Sequence, residues 1–335
     1  MPIRFVLFCF VVLLSTNIVC GQTILAKHTA DTNDSSYYDI EKINVNEFWA
    51  GGENGILTRI DSAGNPTPIN LPGNHSNFLK ILAVGHFVFL FTDDATIFRY
   101  NILNNTFIKK SFKQFKSKCF YDAIVSSNNE IIICGGATGI SRHQKKIPSG
   151  FIAKTDLELN TPQIVWKSYR KFVWNLLPYN NAVLAITYNG NRSAVLLGQT
   201  LHHWKPFSKK VKGIVHEVVP INGDLFYAGT PSMHYKELGM MGAFNMSNTS
   251  NNFIEKQNKG GCIWTLKKCH DGIIGINQIG DLICIKKDFS TTRTFSLLPN
   301  KALYEIEKVS ENKFILVGHG KTIILAEINE QLFFK

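Results

Sequence analysis

A seven-bladed β-propeller, an all-β fold with four antiparallel strands per blade, is the architecture this sequence predicts, on three observations. One short phrase recurs seven times along the 335 residues. Its period stays near forty residues and fills the chain, as radial repeats do. No helical period of useful length runs between the copies. The apolar stretches are brief, β-branched and punctuated by Gly, Asn and Asp, which favours strand over helix.

Each copy opens on an apolar, usually aromatic residue, followed by a polar or acidic one and then an aliphatic one. A small polar turn and a second apolar run, often ending in Gly, come next. The copies begin at Tyr38, Leu79, Tyr121, Trp174, His216, Trp264 and Tyr304, at spacings of 41, 42, 53, 42, 48 and 40 residues. In the first copy Tyr38–Asn44 alternates and reads as the inner strand. Phe48–Gly51 reads as the second strand, Ile56–Asp61 as the third and Thr67–Leu71 as the outer one. Asn54-Gly55 is the strongest kind of short hairpin signal. Third strands are expected likewise at Thr96–Asn101, Gly150–Asp156, Ala194–Gly198, Gly242–Met246, Gly280–Lys286 and Thr322–Ile328. The seventh copy leaves no room for a fourth strand after Ile328. Thr23–Lys27, meanwhile, precedes the first copy with no blade of its own. The simplest closure makes it the outer strand of the last blade, an N-terminal latch that hides the open edges of the ring.

Met1–Gly21 reads as a signal peptide: Arg4, an apolar run over Phe5–Leu14, and small residues before a cleavage point at Gln22. Cys20 as a lipidated residue is disfavoured by the Asn17-Ile18-Val19 that precedes it. No other segment is apolar for long enough to span a bilayer. The expectation is an exported monomer, secreted or periplasmic, with residues 22–335 as one propeller domain. The net charge of +11 favours acidic partners. Export makes nucleic acid the least expected of them, and Lys-rich loops that serve solubility are an ordinary alternative. Cys119, Cys134, Cys262, Cys269 and Cys284 fall mainly in apolar runs and read as small buried hydrophobes. A Cys119–Cys134 pair across a predicted hairpin stays open. No cysteine spacing suggests zinc. Six N-x-[ST] sequons, at Asn33, Asn74, Asn104, Asn191, Asn245 and Asn248, are too few against the Asn content to show glycosylation.

The first copy carries Tyr38-Asp39-Ile40, then Trp49-Ala50-Gly51-Gly52-Glu53-Asn54-Gly55-Ile56-Leu57-Thr58. This resembles the photosystem II assembly factor-like propellers and, more loosely, the sialidase-type (BNR) propellers. The resemblance implies a propeller fold; it is thin beyond the first blade. The Asp box of those families is degenerate here, its nearest match being Asp61-Ser62-Ala63-Gly64-Asn65-Pro66-Thr67. A sialidase would need three converging arginines, but Arg59 and Arg99 fall on third strands and Arg142 in a loop. No nucleophile elbow, P-loop, H-E-x-x-H or C-x-x-C occurs.

The repeat is broken in two copies. Inserts at Ala137–Ser149 and Thr230–Met241 lie between second and third strands, on the face where each blade connects to the next. The Lys-rich stretches Ile108–Lys118, Lys205–Lys212 and Lys256–Lys259 read as such connections. One face should therefore gather Lys109, Lys110, Lys113, Lys116, Arg142, His143, Lys145, Lys146, Lys209, Lys210, His234, Tyr235 and Lys236. Elaborated loops on a rigid scaffold are where binding usually resides. His143 and His234, one in each insert, are the best candidates for a metal or acid–base pair. His202 and His203 are adjacent on an outer strand and face opposite ways. The second position of the phrase carries Asp39, Asp122, Glu217 and Glu305, so four carboxylates could meet near one mouth of the channel. Such groups bind calcium or split their pKa values. The regular recurrence of the position favours a structural role, each carboxylate accepting a backbone N–H from the adjoining blade. No other cofactor is implied. The reading that follows is a non-enzymatic binding propeller for an acidic protein or an anionic glycan. The alternatives are a glycoside hydrolase or lyase at the same face, and an assembly or scaffold factor for an envelope complex.

Overall fold

The computed structural model describes residues 22–29, 35–71, 73, 76–137, 149–200, 202–208, 210–221, 224–231, 238–245, 254–258, 260–269, 272–286 and 292–328. The signal peptide expected at 1–21 lies outside the described residues. Seven antiparallel sheets follow one another around a ring, each inner strand touching the next and the last touching the first. Blade 1 runs Tyr37–Asn44, Glu47–Gly52, Leu57–Asp61 and Pro66–Pro68. Inner strands of the following blades are Phe78–Val84, Lys118–Val125, Phe172–Tyr179, Ile214–Ile221, Ile263–Lys268 and Leu303–Lys308. Blade 7 is completed by Gln22–His28, which pairs antiparallel with Thr322–Ile328 as the outer strand. The expected latch is thus present, and it ties both ends of the ring into one sheet.

Period-2 alternation builds the core. In blade 1, Phe48 and Ala50 enter the seam with blade 7, while Trp49 between them enters the seam with blade 2. Seven such apolar clusters lie one between each pair of neighbouring blades. The blade 2–3 seam is aromatic, with Phe115 4.5 Å from Phe151 and 5.3 Å from Phe120 between ring centres. The blade 6–7 seam is almost wholly aliphatic. Burying one such side chain stabilises the fold by about 2–3 kcal/mol, so the ring is held by many comparable seams rather than one centre. The five cysteines among the described residues lie buried in these layers, none of them in a disulfide. Cys119 stands opposite Gly136 and Cys134 opposite Asp122, so the two thiols are not the facing pair that a hairpin bridge would require.

Turn chemistry matches the sequence. Asn54 and Gly55 both adopt the left-handed conformation, φ 56° and 71°, which the Asn-Gly hairpin turn demands. Asp61 accepts from the backbone N–H of Ala63 and Asn65 and from the Asn65 side chain, closing the turn to the outer strand of blade 1. Asp156 does the same with Glu158 and Asn160 in blade 3.

The outer edge of blade 4 departs from expectation. Lys205–Lys212 is not a free connection: His203–Pro206 and Val211–Lys212 both pair with the third strand, Arg192–Thr200. Pro206 cannot donate to the ladder, and the strand breaks after it before resuming. Lys256 likewise belongs to the outer strand Ile254–Asn258 of blade 5, and Lys109 and Lys110 to the outer strand Thr106–Ser111 of blade 2.

Candidate functional site: the axial mouth

The inner strands carry the same irregularity seven times. The register slips between Tyr37 and Asp39, Phe78 and Lys80, Phe120 and Asp122, Val173 and Asn175, Val215 and Glu217, Ile263 and Thr265, and Leu303 and Glu305. The residue skipped is in every case the first residue of the repeated phrase. A β-bulge of this kind lets two successive side chains turn to the same side, which a regular strand forbids. First and second positions therefore both face the channel. The residue before the phrase and its third residue stay in the seams; Ile40, Ile81, Ala123, Leu176, Val218, Leu266 and Ile306 are all buried.

The first positions form a girdle. Ring centres step from Tyr121 to Trp174 (5.0 Å), His216 (5.3 Å), Trp264 (4.7 Å), Tyr304 (5.4 Å) and Tyr38 (5.7 Å). Leu79 alone interrupts the circle. Inside it lies a cavity of about 940 Å³, lined by the girdle and by Asp39, Glu41, Lys80, Asp122, Asn175, Glu217, Lys267 and Glu305. Five carboxylates thus face two ammonium groups. No arginine is part of this lining.

The four carboxylates singled out in the sequence all reach this cavity, and they behave in two ways. Asp39 accepts from the backbone N–H of Ile81 at 2.6 Å, and Asp122 from that of Leu176 at 2.7 Å. Each short side chain thus ties its own blade to the next. Burial raises the Asp39 carboxyl, Lys80 opposing, and raises that of Asp122 as well. The longer Glu305 and Glu217 reach the channel instead. Glu305 accepts from Thr265 Oγ1 at 2.8 Å and meets Lys267 at 3.4 Å. Glu217 receives one weak bond, from Asn175 Nδ2 at 3.3 Å. Burial and then the neighbouring Glu305 push its carboxyl up to about 8. Beside it, neither ring nitrogen of His216 has a partner among the described residues, nor do Trp264 Nε1 or Asn175 Oδ1. Burial lowers His216 to about 3, so its imidazole is neutral.

The residues from which both inserts depart lie on this same face. Ala137 stands opposite Lys118, and Thr230 opposite Ile214, at the start of the inner strands of blades 3 and 5. Lys118 Nζ bonds Ser149 Oγ there. Lys109, Lys110, Lys113, Lys116 and Lys210 are exposed. Lys109 Nζ lies 5.2 Å from the Phe98 ring centre. Arg142, His143, Lys145, Lys146, Lys209, His234, Tyr235 and Lys236 lie outside the described residues. Among the described residues no helix is long and apolar enough to cross a membrane. Also among the described residues, no three His, Cys, Asp or Glu side chains group as metal ligands. The girdle was the part of the site that the sequence reading did not single out.

Neither a family model nor a curated protein matches the chain. Solved structures do. The Pan2 WD40 domain of Neurospora crassa superposes with a TM-score of 0.65 at 11% identity, over 94% of this chain and 98% of that one. A catalytically inactive virginiamycin B lyase from Staphylococcus aureus, with quinupristin, gives 0.66 at 11%, over 92% and 99%. YCF48 bound to a D1 peptide gives 0.67 at 12%, over 90% and 96%. At such identities the likeness is one of fold. The expected resemblance to assembly-factor propellers therefore holds at that level, and the class is a seven-bladed propeller with a built axial mouth.

Proposed function

We propose that this chain is a secreted, non-enzymatic interaction propeller, and that the face bearing the axial mouth is its working face. One observation carries the reading: the aromatic girdle, both insert attachment points and the exposed Lys113 and Lys116 share that face. The lysine rim suits an acidic partner, a protein surface or an anionic glycan. Such a partner would meet the rim rather than the channel, whose five carboxylates repel it. A Lys113→Glu/Lys116→Glu variant should weaken binding to an immobilised acidic glycan such as heparin about tenfold, since each rim charge is worth up to about 1 kcal/mol. Unchanged retention at low salt would end the acidic-partner reading. Pull-down with the tagged protein tests the related reading of a scaffold for an envelope complex.

A second reading, a glycoside hydrolase or lyase at the mouth, is favoured by the raised carboxyl of Glu217 close to other carboxylates. A general acid needs that environment. Product release from a glycan panel, lost in Glu217→Gln, would establish it.

A further inference from the structure

Four buried polar atoms in the arc of the mouth between blades 4 and 6 have no partner among the described residues: Asn175 Oδ1, both ring nitrogens of His216 and Trp264 Nε1. Buried polar groups are nearly always hydrogen-bonded, and exceptions ask for a reason. His216 is only 6% exposed, lines the cavity, and among the described residues has no partner for either ring nitrogen. Asn175 spends its amide N–H on Glu217, which leaves Oδ1 free. Glu217 has no ammonium or guanidinium within ion-pair distance among the described residues. A neutral imidazole nitrogen, an amide oxygen and, once ionised, a carboxylate thus offer three acceptors to one cavity. The rings of Trp174 and Trp264 flank them, 5.3 and 4.7 Å from that of His216.

We propose that this arc is a subsite for a primary alkylammonium group, its three N–H donors meeting Glu217, Asn175 Oδ1 and His216, and its methylene stem lying between Trp174 and Trp264. Aromatic faces attract a cation, and the excess of carboxylates in the channel adds to that attraction. An anionic or uncharged hydroxylated ligand would leave the carboxylate uncompensated. The proposal rests on the reading of this face as the working face. It assigns chemistry to the centre of the face, as the lysine rim does to its edge. A free amine and a lysine side chain of a partner share that chemistry.

The probe is n-butylammonium, titrated against the intact protein with tryptophan fluorescence as the readout. A dissociation constant of about 1 mM or tighter is expected for so small a ligand. The neutral 1-butanol should bind at least about tenfold more weakly. Glu217→Gln should lose about tenfold in affinity, and Trp264→Leu several-fold, with unfolding midpoints confirming that both fold. Affinity should rise as pH climbs through the region of Glu217, pushed up to about 8, because the bound cation requires the ionised carboxylate. The groups that face Glu217 are Glu305, Lys267, Asp122 and Lys80, with the neutral His216 beside it. A peptide with one internal lysine, blocked at both ends, separates the sources. Comparable binding assigns a protein side chain; binding of butylammonium alone assigns a free amine.

Equal binding of butanol and butylammonium would overturn the proposal, as would indifference to Glu217→Gln. Calcium that binds and excludes the amine would overturn it too, by making the carboxylates a metal site. The Lys113→Glu/Lys116→Glu variant keeps the two readings apart. It should lose the acidic partner and keep butylammonium, whereas Glu217→Gln should do the reverse.

Discussion

Two arcs of one mouth, built from the same repeated phrase, differ in how their carboxylates are compensated. Across blades 6, 7, 1 and 2, Lys267 stands 3.4 Å from both Glu305 and Glu307, and Lys80 3.4 Å from Asp39. The girdle there ends in tyrosines, and Tyr38 is anchored by a 2.5 Å bond to Glu53. Across blades 3 to 5, Asp122 and Glu217 have no ammonium within ion-pair distance among the described residues, and the girdle carries His216, whose ring nitrogens have no partner there. The difference teaches that a repeat can supply the same backbone seven times and still divide its labour. Where the second position is Asp, or Glu beside Lys, the charge is spent inside the ring and holds blades together. Where it is Glu with only an amide as hydrogen-bond partner, burial and the neighbouring Glu305 keep the carboxyl protonated up to about pH 8. Burial without a partner is a cost that folding alone does not explain.

The largest test breaks the compensated arc. Lys80→Met removes the ammonium from Asp39, whose side chain is only 6% exposed, and leaves a buried carboxylate without a counter-charge, held by the Ile81 N–H. That should destabilise the protein by about 3 kcal/mol, read from chemical denaturation at neutral pH. Adding Asp39→Asn should recover more than half of the loss, since the amide no longer needs a cation. A cost under about 1 kcal/mol for Lys80→Met would mean that channel water already compensates Asp39, and the contrast between the arcs would shrink.

A smaller effect is expected in the uncompensated arc, with its own pH signature. Glu217 is raised in the folded state from 4.5 to about 8, so the folded protein holds a proton there that the unfolded chain releases. Its contribution to stability is complete below about pH 4.5 and drains away as pH rises toward 8. Glu217→Gln has no proton to lose. The variant should therefore gain on the natural protein as pH rises, by on the order of 2 kcal/mol at pH 9, the channel water having moderated the full value. Parallel stability curves from pH 5 to pH 9 would show that Glu217 is solvated as an ordinary surface glutamate.

The fold was legible because it is repeated. Thr96–Asn101 and Thr322–Ile328 are third strands with the expected bounds, and the latch is longer than Thr23–Lys27 by one residue at each end. Errors gathered where composition was read as topology. Lysines at Lys205–Lys212 looked like a connection because they are polar, yet pairing to Arg192–Thr200 makes them an edge. The mouth was half legible. Asp39, Asp122, Glu217 and Glu305 stood out at one position of the phrase. Their aromatic neighbours did not, because strand alternation sends adjacent residues apart. Seven bulges overturn that rule, and a bulge leaves no mark in a single copy. The available signal was the alignment itself: six of the seven copies open on a ring, at Tyr38, Tyr121, Trp174, His216, Trp264 and Tyr304.

The smallest expected effect concerns the seventh copy, Leu79, where the girdle is open. Nothing in the seams requires leucine there: Leu79 is half-buried and faces the cavity between Tyr121 and Tyr38. The local structure is held instead by Asn77, which bonds Asp93 through its backbone and side chain and receives Asn54 N–H. Leu79→Trp should therefore close the circle and change stability by no more than about 0.5 kcal/mol. It lies across the ring from Trp174, His216 and Trp264, so butylammonium affinity should stay within about twofold, as sites without shared partners are additive. If affinity shifts tenfold while the unfolding midpoint does not move, the six rings and the new one act as a single surface. The division of the mouth into two arcs would then describe its charges but not its recognition.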